Sequence, residues 1–222
     1  MFTFNIMKII LTGTTGMVGE GVLLECLANP YVTEVLSVSR KPCGHVNSKL
    51  KEYILPDFLD LKTEDERLNG YDACFFCAGI SSVGLKEEEY TRITFDTTIH
   101  FAEVVLAQNP NAVFIYVSGA GTDSTENGRS MWARVKGKTE NTLTMMPFKK
   151  VYNFRPGFMK ATDGQKHLLP LYKYIGWMYP LLNVLIPNGT STLQQVAKAM
   201  IRLVHADFQK KIISVKEIKA LA

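Results

Sequence analysis

The chain has 222 residues, of which 46% are hydrophobic and 21% charged. These proportions are ordinary for an α/β domain with a single core, and they exclude a disordered or collagen-like chain. Lys and Arg number 25 against 21 Asp and Glu, which gives a net charge of +4. A surplus this small does not predict a nucleic-acid-binding face, so no nucleic acid partner is expected. The excess lies in residues 164–206, which contain four basic residues and no Asp or Glu.

Short apolar runs alternate with helical stretches along the chain. This alternation predicts a doubly wound parallel sheet with a small C-terminal substrate region. We expect one domain over residues 1–222, with 158–222 contributing the substrate or lid region. The predicted strands are 6–12, 34–39, 53–57, 71–77, 112–118 and 150–154, and the predicted helices are 17–28, 87–108, 130–145 and 191–204.

The four cysteines favour a reduced, cytoplasmic setting, because residues 1–8 lack the pattern of a secretory signal. Cys74 and Cys77 have the spacing of a redox pair, but they lie in a predicted strand. Residues three apart in a strand point to opposite faces, so packing is the favoured role of both. The histidines show no metal-ligand spacing with these cysteines, and no metal site is predicted.

Three glycines end the first predicted strand and open the first helix. Gly13 allows a tight turn, Gly16 allows the backbone to approach a pyrophosphate, and Gly19 allows close packing of helix on strand. The helix N-terminus then offers unpaired N–H groups to phosphates. This context favours a dinucleotide-binding loop, and a merely tight turn is the alternative.

The G-x-x-G-x-x-G spacing resembles the short-chain dehydrogenase/reductase superfamily, in particular its atypical, NAD(P)-binding epimerase/reductase-like branch. Matching positions run from 13 to 157, about two thirds of the chain. The resemblance implies a Rossmann fold and a nucleotide-binding oxidoreductase or epimerase. It also implies that the pyrophosphate is held by Gly13, Thr15, Gly16, Met17 and Val18.

The end of the second strand distinguishes the two nicotinamide cofactors. Enzymes that use NAD generally place an acid there, whereas this chain has Ser39, Arg40 and Lys41. A guanidinium can pair with the 2′-phosphate that a carboxylate would repel. NADP(H) is therefore favoured over NAD(H), and a solvated basic turn is the alternative.

Further cofactor contacts follow from the resemblance. Asp57 and Phe58 match the positions that contact adenine, and Cys77, Ala78 and Gly79 match a turn beside the cofactor. The Arg155-Pro156-Gly157 turn matches one that passes the nicotinamide, whose pocket Phe158 and Met159 would wall. Besides the five pyrophosphate residues, the residues expected to bind the cofactor are Ser39, Arg40, Asp57, Phe58, Cys77, Ala78, Gly79, Lys136, Pro156, Gly157 and Phe158.

In the family a Ser or Thr orients the substrate, a Tyr exchanges its proton, and a Lys four residues later lowers the pKa of that Tyr. Ser118 and Lys136 match two of these positions, but Trp132 stands where the tyrosine belongs. An indole N–H does not exchange a proton at usable pH. Two hypotheses stay open: an NADP-dependent oxidoreductase or epimerase with a degenerate catalytic motif, and a non-catalytic NADP(H)-sensing regulatory or interaction protein.

A proton could then come from water, from a ribose-linked relay or from a tyrosine of the C-terminal segment: Tyr172, Tyr174 or Tyr179. Residues 168–187 are almost wholly apolar, but Pro170, Pro180, Pro187 and Asn183 are expected to interrupt a continuous helix. A lid, a pocket wall for a small apolar substrate or a homo-oligomer surface is favoured over peripheral membrane contact.

Overall fold

A computed structural model describes residues 6–168 and 178–222 of the chain. The strands of this part are β1 (Met7–Thr12), β2 (Val32–Ser39), β3 (Leu50–Ile54), β4 (Ala73–Phe76), β5 (Val113–Val117), β6 (Lys150–Arg155), β7 (Phe158–Lys160), β8 (Thr190–Thr192) and β9 (Ile212–Ser214). The helices are α1 (Met17–Ala28), α2 (Glu87–Thr91), α3 (Thr97–Gln108), α4 (Met131–Met145), α5 (Tyr179–Leu185), α6 (Leu193–His205) and α7 (Val215–Leu221).

Seven strands form one parallel sheet in the spatial order β3-β2-β1-β4-β5-β6-β9. The chain moves outward in one direction through β2 and β3 and then returns to place β4 on the other side of β1. In open parallel sheets, ligands bind outside the carboxyl ends of the strands at such a reversal. The topology is that of a Rossmann-type α/β domain, as predicted.

Both faces of the sheet are covered, which explains why its strands are nearly continuous apolar runs. On β1, Ile9 and Leu11 pack in one cluster with Met200 of α6, whereas Ile10 packs in the other with Phe101 of α3. The amphipathic helix predicted from residue 191 onward is confirmed as α6. It begins with a capping box in which the side chains of Thr192 and Gln195 each accept the other's backbone N–H.

One predicted strand has the wrong bounds. The third strand is not 53–57 but Leu50–Ile54, and its last ladder contact is the 2.9 Å hydrogen bond from Leu55 N to Ser39 O. Pro56 follows immediately and has no N–H with which to continue the ladder. The helix predicted over 87–108 is confirmed in its bounds, and a π-helical turn, Arg92–Asp96, separates its α2 and α3 parts.

The C-terminal region contains elements that the periodicity did not predict: the β7–β8 pair, β9 and α7. In the described part of the apolar segment the helix is short, as the expected interruption of a continuous helix predicts: α5 begins one residue before Pro180 and ends before Pro187, although Asn183 lies within it. Pro180 lies in the first turn of α5, where its missing N–H costs nothing, and Asn183 accepts hydrogen bonds from Thr190 and Lys219. Residues 169–177 of the apolar segment lie outside the described residues. Among those described, no helix is both long and apolar enough to cross a membrane.

Candidate functional site

The glycine loop follows β1 and packs against the backbone that follows β4. Gly13 has φ +76°, and a Cβ there would lie 2.7 Å from the backbone of Cys77 and Ala78. The Ala78 N–H donates to Thr12 Oγ1 at 3.1 Å, which holds the two strand ends together. Only glycine satisfies both the positive φ and the close approach, so the predicted tight turn is confirmed.

The same loop leaves the start of α1 open to an anion. Gly16 precedes the helix with extended backbone and, having no side chain, caps none of its first-turn N–H groups. A Cβ on Gly19 would lie 2.2 Å from the Gly13 carbonyl oxygen, which confirms the close packing predicted for Gly19. Uncapped N–H groups at a helix N-terminus suit phosphate oxygens, so this segment fits a dinucleotide phosphate.

A cavity of about 510 Å³ opens beside this loop at the carboxyl ends of β1, β2 and β4. It brings together four of the predicted cofactor segments, from the glycine loop, the end of β2, the turn after β3 and the end of β4. The lining residues are Gly13, Thr15, Gly16, Ser39, Arg40, Pro56, Asp57, Phe58, Leu59, Phe76, Cys77, Ala78, Gly79, Ile80, Glu89, Arg92, Ile93 and Thr97.

Within this cavity Arg40 is an exposed cation at the end of β2. Ser39 beside it is buried and donates its hydroxyl to the Lys41 carbonyl at 2.7 Å, which fixes the turn. The Asp57 carboxylate accepts from Leu59 N at 3.0 Å and so caps the short helical turn that carries Phe58. The Phe58 ring packs on Phe101 with centroids 5.3 Å apart. These contacts build a rigid wall beside Arg40.

Eight lining residues were missed by the sequence reasoning. Pro56, Leu59, Phe76 and Ile80 are immediate neighbours of predicted residues, whereas Glu89, Arg92, Ile93 and Thr97 lie outside every predicted cofactor segment. These last four come from the helical segment that forms one wall of the cavity. Nothing in the local pattern marks them, because their relation to the cavity depends on how this segment packs on the sheet.

Ser118 lies at the end of β5, but its hydroxyl is engaged inside the protein. Its Oγ lies 2.5 Å from Glu140 Oε1 and 3.0 Å from the Phe154 carbonyl oxygen. Glu140 is 1% exposed and also accepts from the Arg155 guanidinium, at 3.0 Å from Nε and 2.5 Å from Nη2. Both acceptors near the Ser118 hydroxyl are therefore interior groups. The sequence reasoning missed Glu140 altogether.

Lys136 approaches the same strand end from α4 and donates its ammonium to the Ser118 carbonyl oxygen. Desolvation lowers its pKa to about 8, and the nearby Glu140 carboxylate opposes this shift. A lysine with such a pKa holds an exchangeable proton near neutral pH.

Trp132 lies one turn before Lys136 on α4 and packs over the loop after β5. A Cβ on Gly121 would lie 3.3 Å from Trp132 Cη2. Of the three alternative tyrosines, Tyr179 is half-buried with Lys160 Nζ 6.0 Å from its ring. Tyr116, which belongs to β5, is buried, and desolvation raises its pKa. Tyr172 and Tyr174 lie outside the described residues.

The turn after β6 makes a close contact with the backbone of residue 189. A Cβ on Gly157 would lie 2.1 Å from the Gly189 carbonyl oxygen, which also accepts the Phe158 N–H at 2.9 Å. The Ala120 N–H donates to the Pro156 carbonyl, so this turn also adjoins the loop after β5. The predicted site residues that do not line the cavity are Met17, Val18, Ser118, Trp132, Lys136, Pro156, Gly157 and Phe158.

All four cysteines are free thiols, and the two of the C-x-x-C pattern face opposite sides of the sheet. Cys74 belongs to the cluster that contains Phe101, whereas Cys77 packs against the cluster that contains Ile9. Burial raises the pKa of both thiols, which suits packing and not redox chemistry. Within residues 6–168 and 178–222, no group of three or more His, Cys, Asp or Glu side chains could hold a metal ion.

The reversal of strand order, the uncapped helix N-terminus and the glycine loop together define a nucleotide-binding protein of the Rossmann class. Comparison with protein families agrees: the model of the NAD dependent epimerase/dehydratase family matches residues 9–130. The chain belongs to this family, whose members bind NAD(P).

Curated relatives are distant in sequence. The chain is 26% identical to the mitochondrial protein fmp52 of Emericella nidulans, over 68% of this chain and 66% of that protein. It is 25% identical to the leucinostatins biosynthesis cluster protein T of Purpureocillium lilacinum, over 90% of this chain and 86% of that protein.

Similar solved structures share the fold. The ADP-L-glycero-D-manno-heptose-6-epimerase of Helicobacter pylori superposes with a TM-score of 0.67 at 14% identity, covering 97% of this chain and 80% of that one. The UDP-glucuronic acid 4-epimerase of Bacillus cereus, solved in complex with NAD, gives 0.66 at 13% identity, covering 96% and 81%.

Proposed function

We propose that the protein binds NADP(H) in the cavity beside the glycine loop and prefers it to NAD(H). The observation that carries this proposal is Arg40, an exposed cation that lines the cavity. NAD-binding Rossmann domains generally place an acid at this strand end. Neither Ser39 nor Lys41 supplies a carboxylate, and the cavity-lining Asp57 is engaged in capping its own turn. A 2′-phosphate at this position gains a charge-assisted hydrogen bond and meets no repulsion from residues 39–41.

Titration of NADPH and NADH against the intrinsic tryptophan fluorescence tests this preference. The wild type should bind NADPH more tightly, and Arg40→Gln should weaken NADPH about tenfold while leaving NADH unchanged. Lys198→Gln is the control, because it removes one positive charge from an exposed position of α6 outside the cavity lining. Equal affinities of the wild type for the two cofactors would refute the NADP assignment.

With this cofactor, the protein acts as an oxidoreductase on a small, largely apolar carbonyl or alcohol. When bound, NADPH supplies the hydride, and the protein must deliver one proton to the substrate oxygen. Trp132 cannot do so, and the Ser118 hydroxyl is held by Glu140. In the part of the site described here, Lys136 is the group with a pKa near neutrality, about 8. It is also the residue expected to hold the nicotinamide ribose.

A second candidate function is NADP(H) sensing without turnover, which Trp132 and Ser118 favour. Trp132 replaces the proton-exchanging tyrosine, and the Ser118 hydroxyl has both of its acceptors inside the protein. A protein of this kind would bind the cofactor with the same Arg40 dependence but reduce no carbonyl compound.

Trp132→Tyr separates the two functions. It restores a phenol four residues before Lys136, so carbonyl reduction should appear or rise by about tenfold or more if the rest of the site is competent. The assay is NADPH oxidation across a panel of small aldehydes and ketones. Unchanged NADPH affinity with no activity in either protein would support sensing and count against the oxidoreductase.

The cellular location and the role of the apolar segment 168–187 are separate proposals. The cytoplasmic location expected from the cysteines stays a prediction, since three relatives are named mitochondrial. A homo-oligomer surface or peripheral membrane contact through the apolar segment also stays a proposal, to be tested by light scattering and by liposome co-sedimentation.

A further inference from the structure

One wall of the cavity is a helical segment with an interruption. Glu89 belongs to α2 and Thr97 begins α3, and the π-helical turn Arg92–Asp96 lies between them. Isolated π turns inside α-helices are rare and occur often at functional sites. The position of this one, on the wall of the cofactor cavity, points to a role in ligand binding.

The π turn keeps one face of the segment directed at the cavity. Glu89, Ile93 and Thr97 all line it and are spaced four residues apart. In a regular α-helix, four residues overshoot one turn by about 40°, so three such positions would drift away from a common line. A π turn takes up more residues per turn and reduces this drift. Arg92 adjoins Ile93 on the same wall.

Few of the described cationic side chains line the cavity, and Arg92 is one of them. Residues 13–20, which form the phosphate loop and the start of α1, contain no Lys or Arg. Among the described residues that line the cavity, the cationic side chains are those of Arg40 and Arg92. If Arg40 serves the 2′-phosphate, the diphosphate has one further cation within the same cavity.

The Arg92 side chain is also available. It is exposed, and its guanidinium makes no hydrogen bond or ion pair with any residue in 6–168 or 178–222. Arg134 of α4 differs, since its guanidinium is bound by Glu87 and by the Gly128 carbonyl, each at 2.7 Å. An unpaired guanidinium in a cavity that suits phosphates is free to bind an anion.

We propose that Arg92 binds the diphosphate of the dinucleotide, on the side not covered by the α1 N-terminus. This rests on the proposed function, because it takes the nicotinamide dinucleotide as the ligand. Glu89, about one turn earlier on the same wall, places a negative charge near the phosphates and weakens their binding. The diphosphate is common to NADPH and NADH, so Arg92 contributes affinity without choosing between them.

The test measures the dissociation constants of NADPH and NADH for the wild type, Arg92→Gln, Arg40→Gln and Glu89→Gln. Arg92→Gln should weaken both cofactors by the same factor, about tenfold, whereas Arg40→Gln weakens NADPH alone. Glu89→Gln should strengthen both by about two- to threefold. Lys198→Gln is the charge control and should change neither. All these positions are exposed, and circular dichroism with thermal melting verifies that each variant is folded.

The outcomes separate the two proposals. Arg92→Gln without effect on either cofactor, while the wild type binds NADPH, overturns the Arg92 assignment alone. Weakening of NADPH only also overturns it, because Arg92 would then serve the 2′-phosphate. Failure of the wild type to bind either dinucleotide refutes the proposed function and, with it, this inference.

Discussion

Glu140→Gln tests the interior ion pair that fixes the end of β5. The Glu140 side chain is 2% exposed and that of Arg155 18%, and the carboxylate also lies 2.5 Å from the Ser118 hydroxyl. Glutamine keeps the size and one acceptor oxygen but removes the charge opposite the guanidinium. Breaking a buried pair by removing one partner costs about 3–5 kcal/mol of unfolding free energy. Because glutamine retains an acceptor, we expect a loss at the lower end of this range, about 3 kcal/mol.

The measurement is urea unfolding at pH 7 together with thermal melting. For a domain of this size, about 3 kcal/mol lowers the melting temperature by about 6–12 °C. Glu87→Gln is the matched control: it breaks the Arg134 pair, in which the glutamate side chain is 53% exposed, and should cost less than about 1 kcal/mol. Equal losses in the two variants would refute the reasoning, because burial would then not set the strength of the pair.

Glu140→Gln should also lower the pKa of Lys136. Desolvation lowers the Lys136 pKa and the Glu140 carboxylate raises it by a smaller amount, so that the resulting pKa is about 8. Removal of the carboxylate should therefore lower that pKa further, which NMR of the dimethylated lysine measures. An unchanged pKa would mean that the two groups do not interact electrostatically.

Two other predictions concern the glycine loop and α1. Gly13→Ala should cost at least about 2 kcal/mol in unfolding free energy, because Gly13 has φ +76° and an added Cβ would lie 2.7 Å from backbone atoms. Gly16→Ala should cost less than about 1 kcal/mol, because the nearest atom to its added Cβ is 3.4 Å away. Similar losses in the two variants would contradict the argument. Burial opposes ionisation of Glu20, but N–H donors from Lys166, His167 and His45 outweigh it and lower its pKa below the ordinary 4.5. The stabilisation by Glu20 is therefore present above pH 4.5 and lost as the pH falls through the lowered value. Urea unfolding of Glu20→Gln should show a loss of stability at pH 7 that decreases as the pH is lowered below 4.5, and a pH-independent difference would exclude this linkage.

Features that depend on a few consecutive residues could be predicted from the sequence. The strand–glycine loop–helix unit occupies residues 7–28, and Gly13 and Gly19 have the conformation and packing that their spacing indicates. Arg40 at the end of β2 and Cys74 and Cys77 on opposite faces of the sheet were likewise accessible, because strand alternation and strand ends are local properties.

The tertiary structure decided what depends on distant segments. β9 pairs with β6 although about 60 residues separate them, and its three residues carry no periodicity of their own. The π turn that brings Arg92 and Ile93 to the cavity is not visible in a helical pattern, because it reflects how the segment packs. Ser118 directly follows β5, one residue past the observed end of the strand, yet its hydroxyl binds Glu140 on α4, 22 residues away. Short-range spacing thus determines the phosphate loop and the strands, whereas burial and long-range pairing decide which polar groups of the site remain free to act.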